Sequence, residues 1–141
     1  MNVQRAAAVG SIAVVVAAVA AGLFLTGSPA EQRLRRFDER RVRDLQQLSN
    51  AASMRWDQQQ RLADEVAELA DGRYLTRVPI DPVSAQPYEY RVTDAQQFEV
   101  CAVFDRPSPP PESGDFWFHD TGRRCFTFDV TQPPPGNGSF R

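Results

Sequence analysis

Lysine is absent from this 141-residue chain: all 16 basic residues are arginine, a usage that genome composition explains as readily as function. Neither sign of charge is in large excess. The 18 acidic residues leave a formal net charge of −2, which removes the case for a dedicated nucleic-acid binder. His119 is the only histidine, and there is no Ser-His-Asp arrangement, glycine-rich phosphate loop or calcium loop. A metal can be imagined on His119 with Asp120, Cys101 and Cys125, but structural zinc usually brings closely spaced ligand pairs. The expectation for His119 is a turn residue making a local hydrogen bond. The two cysteines lack the C-x-x-C spacing of a catalytic redox pair. The chain is also too short for a barrel or a Rossmann-type enzyme. No catalytic, metal or cofactor residue is assigned, and the chain is not expected to be an enzyme.

What is present falls into two halves. One proline, Pro29, precedes position 78 and ten follow it, while eleven of the fourteen Phe, Tyr and Trp residues lie after position 70. The front is rich in Ala, Arg, Gln and Leu, which favour helix. The back is aromatic, β-branched and turn-rich, which suits a small sheet. The expected class is α+β, with an N-terminal transmembrane helix and a long amphipathic helix packed on a small antiparallel sheet. The expected divisions are a membrane anchor over 1–27, a helical stalk over 28–72, a β module over 73–130 and a flexible tail over 131–141.

Ala6 to Leu25 carries no charge over 20 residues, long enough as a helix to match the hydrocarbon core of a bilayer at roughly 30 Å. Eight of its seventeen apolar residues are Ala, so it is only moderately hydrophobic. It reads as a single-pass anchor contacting membrane lipids through residues 6–25. A cleaved secretory signal is the alternative, with Arg5 as the charged start and Ser28 and Ala30 as small residues before a cut. A buried core helix is disfavoured, because so small a sheet offers too little cover. Arg5 lies on one side of the run and Arg33, Arg35, Arg36, Arg40, Arg41 and Arg43 on the other. Counted literally, that places the larger part in the cytoplasm. The signal-like start and the cysteines argue the reverse, and long domains translocate largely regardless of charge. The expected location is the cytoplasmic (inner) membrane with the C-terminal part periplasmic.

Ser28-Pro29-Ala30-Glu31 is a helix start, with Ser28 and Glu31 as a reciprocal cap and Pro29 in the first helical position. No Gly or Pro interrupts the chain from there to Ala70. Leu34, Phe37, Leu45, Leu48, Ala52 and Trp56 recur at helical steps, with Arg41 filling one gap, and Leu62, Val66 and Leu69 continue the stripe. Gly72 is the expected stop. Residues 31–70 hold eight Arg and eight Asp or Glu, so the arginines read as a solvated, acid-balanced face rather than a lipid-headgroup site. The apolar stripe exceeds what a small sheet covers, and its remainder suits a partner helix.

In the β module, Ile80 to Pro87 is extended and turn-prone, and Tyr88–Val92 and Phe98–Phe104 form a hairpin through a polar connection at Thr93–Gln97. Arg106–Asp115 is a proline-rich loop. Phe116–His119 and Arg124–Val130 form a second hairpin around Asp120-Thr121-Gly122. Cys101 and Cys125, 24 residues apart, suggest one disulfide in an exported domain and two free buried thiols in a cytoplasmic one. Asn137-Gly138-Ser139 matches a glycosylation sequon.

A membrane helix, a helical stalk and a small antiparallel sheet together resemble type IV pilins and type II secretion pseudopilins. Asp81-Pro82-x4-Pro87-Tyr88-x-Tyr90 resembles the Asp-Pro…Pro-Tyr-x-Tyr segment that opens the sheet in major pseudopilins. Asp44-Leu45, Asp81-Pro82, Phe98-x-x-Cys101-Ala102 and Trp117-x-His119-x-x-Gly122-x-x-Cys125-Phe126 are similar to segments of uncharacterised membrane-anchored bacterial proteins. The resemblance spans about residues 40–128. Prepilins carry Gly-Phe at the cleavage site and Glu five residues later, where this chain has Gly10-Ser11 and Val15. The resemblance therefore carries over no prepilin processing, filament docking charge or calcium ligand. It implies a helix break near Gln60 to Leu62, where the local sequence contains no breaker. The expected function is an accessory or scaffold subunit of an envelope assembly with protein partners. The alternatives are a minor pseudopilin-like component and a cleaved-signal periplasmic binding or thiol-redox protein.

Overall fold

A computed structural model describes residues 3–26, 28–110 and 115–132, and within the first helix the side chains of 7–22 and 24. The sequon, most of the expected tail and the loop from Pro111 to Gly114 lie outside the described residues. The chain divides into two compact units, 1–34 and 35–141.

In the first unit, α1 runs from Val3 to Thr26. Its 24 residues extend roughly 36 Å at helical rise. Every described side chain from 7 to 22 is exposed, and Ser11 Oγ returns a hydrogen bond to Ala7 O at 2.9 Å. Among the described residues, no helix is long and apolar enough to cross a membrane, so the expected transmembrane span has no support there. The expected helix restart is present. Glu31 N–H donates to Ser28 Oγ at 3.2 Å and Ser28 N–H to Glu31 Oε2 at 3.4 Å, and α2 begins at Pro29.

In the second unit, the part of α2 (Pro29–Gln59) from Arg35 onward buries Asp38, Arg41, Leu45, Leu48, Ser49, Ala51 and Ala52. The steps of three and four residues place this set on one face. Three antiparallel strands follow in the order β1 (Glu89–Asp94), β2 (Gln97–Phe104), β3 (Gly122–Asp129). Alternation sends Phe98, Val100, Ala102 and Phe104 of β2 inward, with Phe126 and Phe128 of β3 beside them. These residues join Leu45, Leu48 and Ala52 in one buried cluster. Within the cluster Phe98 and Phe128 stack at 5.1 Å. The α+β class is as expected, with a long helix on an antiparallel sheet.

Two expectations are corrected. The helix does not continue to Ala70. It ends at Gln59, and Gln60 takes a positive φ of 53°, so the break falls near Gln60 to Leu62 as the resemblance implies. Gln60 N–H and Nε2 both donate to Trp56 O, at 2.7 and 3.1 Å. The chain then turns back, burying Leu62, Ala63 and Leu69, the last at the end of a 3-10 turn over Val66–Leu69. Arg55 secures the return through Glu68, donating to its backbone O at 3.2 Å and its carboxylate at 2.6 Å. A straight helix would have carried these apolar residues past the end of the sheet; reversal brings them onto the same core. Gly72, at φ +83°, turns the chain after this segment rather than ending the long helix.

Phe116–His119 is not a strand, and there is no second hairpin among the described residues. Asp115 accepts from Trp117 N–H through Oδ1 at 3.0 Å and from Phe118 N–H through its backbone O at 3.3 Å, forming a turn. In a strand, adjacent Phe116 and Trp117 would point to opposite faces. In the turn both reach β3: Trp117 lies 4.8 Å from Phe126 and Phe116 lies 5.2 Å from Phe128.

Candidate functional site

The densest polar cluster is built around the residue that interrupts the apolar stripe. Arg41 stands at a core position of α2 and is 3% exposed. Its Nε donates to Asp81 Oδ2 at 2.6 Å, and its Nη1 to Asp38 Oδ1 at 2.7 Å and Asp105 Oδ2 at 2.6 Å. The fork of the guanidinium thus joins three segments: its own helix one turn back, the loop before β1 and the end of β2. Asp38 also accepts the backbone N–H groups of Asp105 at 3.0 Å and Arg106 at 2.9 Å, where the β2 ladder stops.

Burial acts to discharge Arg41, but the hydrogen bonds to Asp81, Asp105 and Asp38 outweigh it and hold its pKa above the ordinary value. Burial likewise pushes the Asp81 carboxyl up. Arg41 and the N–H groups of Ser84 and Val83 overcome that and bring it down to about 2. The two N–H groups meet Asp81 Oδ1 at 2.8 Å each.

The Asp81-Pro82…Pro87-Tyr88 segment is therefore a clip onto α2. Asp81 grips Arg41 at one end, and the Tyr88 hydroxyl donates to Asp44 Oδ2 at 2.9 Å at the other. Ile80, just before Asp81, and Pro87, just before Tyr88, form an isolated bridge. Burial raises the Tyr88 phenol pKa, and the Asp44 carboxylate raises it further. Arg41, Asp38 and Asp105 were not singled out as site residues from sequence. The available signal was a charged residue in register with an apolar stripe, with an aspartate three positions earlier.

The predicted cysteine pair comes together. Cys101 of β2 and Cys125 of β3 are direct register partners with Cα atoms 4.1 Å apart and sulfurs bonded. Cys101 belongs to the outward set of β2 with Gln97, Glu99 and Val103, so the bridge lies on the sheet face opposite the core. Arg123 of β3 reaches across β2 to Glu89 of β1, donating through Nη2 at 2.6 Å and Nε at 3.0 Å. This ion pair covers Cys101, which is 3% exposed, and Arg123 Nη2 lies 3.5 Å from Cys101 Sγ.

His119 is buried, with Nδ1 2.9 Å from Trp117 O and its ring stacked on Phe104 at 3.7 Å. It makes the expected local hydrogen bond. Among the described residues, the group whose ligand atoms lie within metal-site distance is Glu99, Cys101 and Cys125. It includes neither His119 nor Asp120, and both sulfurs are committed to the bridge. A shallow depression on α1 at Ser11, Ile12, Val15 and Val16 is formed by one helix face and encloses nothing.

The polar groups of the second unit thus hold segments together: helix to loop, helix to strand end, strand to strand. No family model, curated protein or solved structure matches the chain.

Proposed function

We propose that this chain is a non-enzymatic membrane-anchored protein. Residues 6–25 hold it in the cytoplasmic membrane and the α+β unit stands on the periplasmic side as an accessory or scaffold subunit of an envelope assembly. The observation that carries this reading is the bare apolar surface of α1: Val9, Ile12, Val14, Val15, Val16, Val19 and Phe24 are each more than half exposed, around the whole helix. Water would leave that surface uncovered at about 25 cal/mol per Å2, whereas lipid covers it on every side. The consecutive side chains described in α1 cover 16 residues, 7–22, and the apolar segment of the sequence runs from Ala6 to Leu25, the length a bilayer requires. Supporting the non-enzymatic part, Arg41, Asp38, Asp81, Asp105 and Tyr88 are engaged in joining elements of the fold.

Carbonate extraction of membranes, with protease protection of a C-terminal tag in spheroplasts, tests the anchor and its direction. The expected result is a carbonate-resistant chain whose tag is digested from outside. Recovery in the soluble fraction, or a tag protected until lysis, overturns the reading. Crosslinking in native membranes tests the scaffold role, with specific neighbours expected and a free monomer counting against it. A minor pseudopilin-like component is the second reading, favoured by the long helix lying on an antiparallel sheet. It requires N-terminal processing, so an intact mass that includes Met1 excludes it.

A further inference from the structure

The two sulfurs of the bridge are chemically unequal, and the sheet order makes them so. Cys101 lies on the central strand between Glu89 of β1 and Cys125 of β3, while Cys125 lies on an edge strand and is only half-buried. Thiol–disulfide exchange requires a thiolate to approach in line with the S–S bond, and the departing sulfur carries the electron pair away. The bond bridges β2 to β3. On the β3 side of the bridge no further strand follows among the described residues, so Cys125 has the open flank. On the β1 side of Cys101 the Glu89 carboxylate and its ion pair with Arg123 stand in the way. If Cys125 is attacked, Cys101 departs as a thiolate beside the Arg123 guanidinium, 3.5 Å from its sulfur. Nearby positive charge stabilises a thiolate and makes it a better leaving group; the Glu99 carboxylate, paired with Arg91, lies within 4.8 Å of both sulfurs and opposes a thiolate at either, so Arg123 is the charge that distinguishes the two. The bridge also lies outside the buried cluster that joins α2 to the sheet.

We propose that Cys101–Cys125 is a thiol–disulfide exchange site for a dithiol reductant, with Cys125 as the attacked sulfur and Cys101 as the leaving group. One thiolate of the reductant bonds to Cys125 Sγ as the S–S bond breaks, and the electron pair passes to Cys101 Sγ. The second thiolate then attacks the reductant's own sulfur in the mixed disulfide. This closes the reductant's disulfide and releases Cys125 as a thiolate. Two electrons pass from the dithiol to the protein, and its two protons neutralise the two protein thiolates or enter the solvent. The proposal is independent of how the chain is anchored.

Glutathione, which traps the first step, is the probe. The full chain in detergent is exposed to glutathione, quenched in acid, alkylated and mapped by peptide mass. Glutathione is expected on Cys125 and the alkyl group on Cys101, by roughly tenfold over the reverse. Arg123→Gln is expected to slow exchange several-fold and Arg123→Lys to restore it. Glu89→Gln is expected to raise the share of adduct on Cys101. Equal labelling, a preference for Cys101, or an Arg123→Gln rate equal to wild type overturns the proposal. Reduction that occurs only at urea concentrations that unfold the chain overturns it as well.

Discussion

Arg41 occupies a place that helical periodicity reserves for an apolar side chain, and it is tolerated because three carboxylates meet it. A buried ion pair adds little over a well-packed apolar group, but removing one partner leaves charge stranded in a low dielectric. Arg41→Met is therefore expected to destabilise the chain by about 3–5 kcal/mol in urea denaturation followed by Trp56 and Trp117 fluorescence. Adding Asp38→Asn and Asp81→Asn to that variant should recover part of the loss. Asp81 also makes a pH prediction. Its carboxyl ionises at about 2 in the folded chain against an ordinary 3.8. The stability it contributes is complete above pH 3.8 and is lost as the pH falls through 2. Asp81→Asn should be less stable than wild type at neutral pH, and the difference should narrow across that interval in an acid titration monitored by near-UV circular dichroism.

At the scale of elements, the end of α2 is set by a residue with no intrinsic reason to end a helix. Gln60 sits at φ 53°, a region that disfavours side chains with a Cβ, and is held there by its two bonds to Trp56 O and by the burial of Leu62 and Ala63 just beyond. Gln60→Gly should stabilise the chain by up to about 1 kcal/mol. Gln60→Val should cost about 1–2 kcal/mol. Thermal melts of the two variants check both signs. The same competition explains the 116–119 segment. Its composition favours a strand, but a strand would bury only one of Phe116 and Trp117, and the Asp115 turn lets both pack on β3.

For the molecule as a whole, the disulfide ties β2 to β3 across the loop that carries the aromatic turn. Closing a loop with cysteines 24 apart contributes about 3–4 kcal/mol in the chain-entropy picture. Replacing Cys101 and Cys125 together by Ser should lower the urea midpoint accordingly and leave the far-UV circular dichroism unchanged, because the core lies on the other sheet face. Loss of secondary structure in that variant would mean that the sheet depends on the bridge to form.

Much of this protein could be read in its residues because the relevant physics is local. Ser28 and Glu31 are three apart and cap each other; Phe98, Val100, Ala102 and Phe104 alternate and face one way; Gly72 supplies a positive φ. The cysteine partners were also legible, since two cysteines admit one pairing. Tertiary structure alone decided that Phe116 and Trp117 share a face and that Arg41 is a junction rather than a gap; the end of α2 at Gln59 matches the break the resemblance implies, though no local breaker marks it. Asp81 and Asp105 lie 40 and 64 residues from Arg41, and a periodic pattern shows which residues need burial or pairing without showing which distant segment supplies the partner.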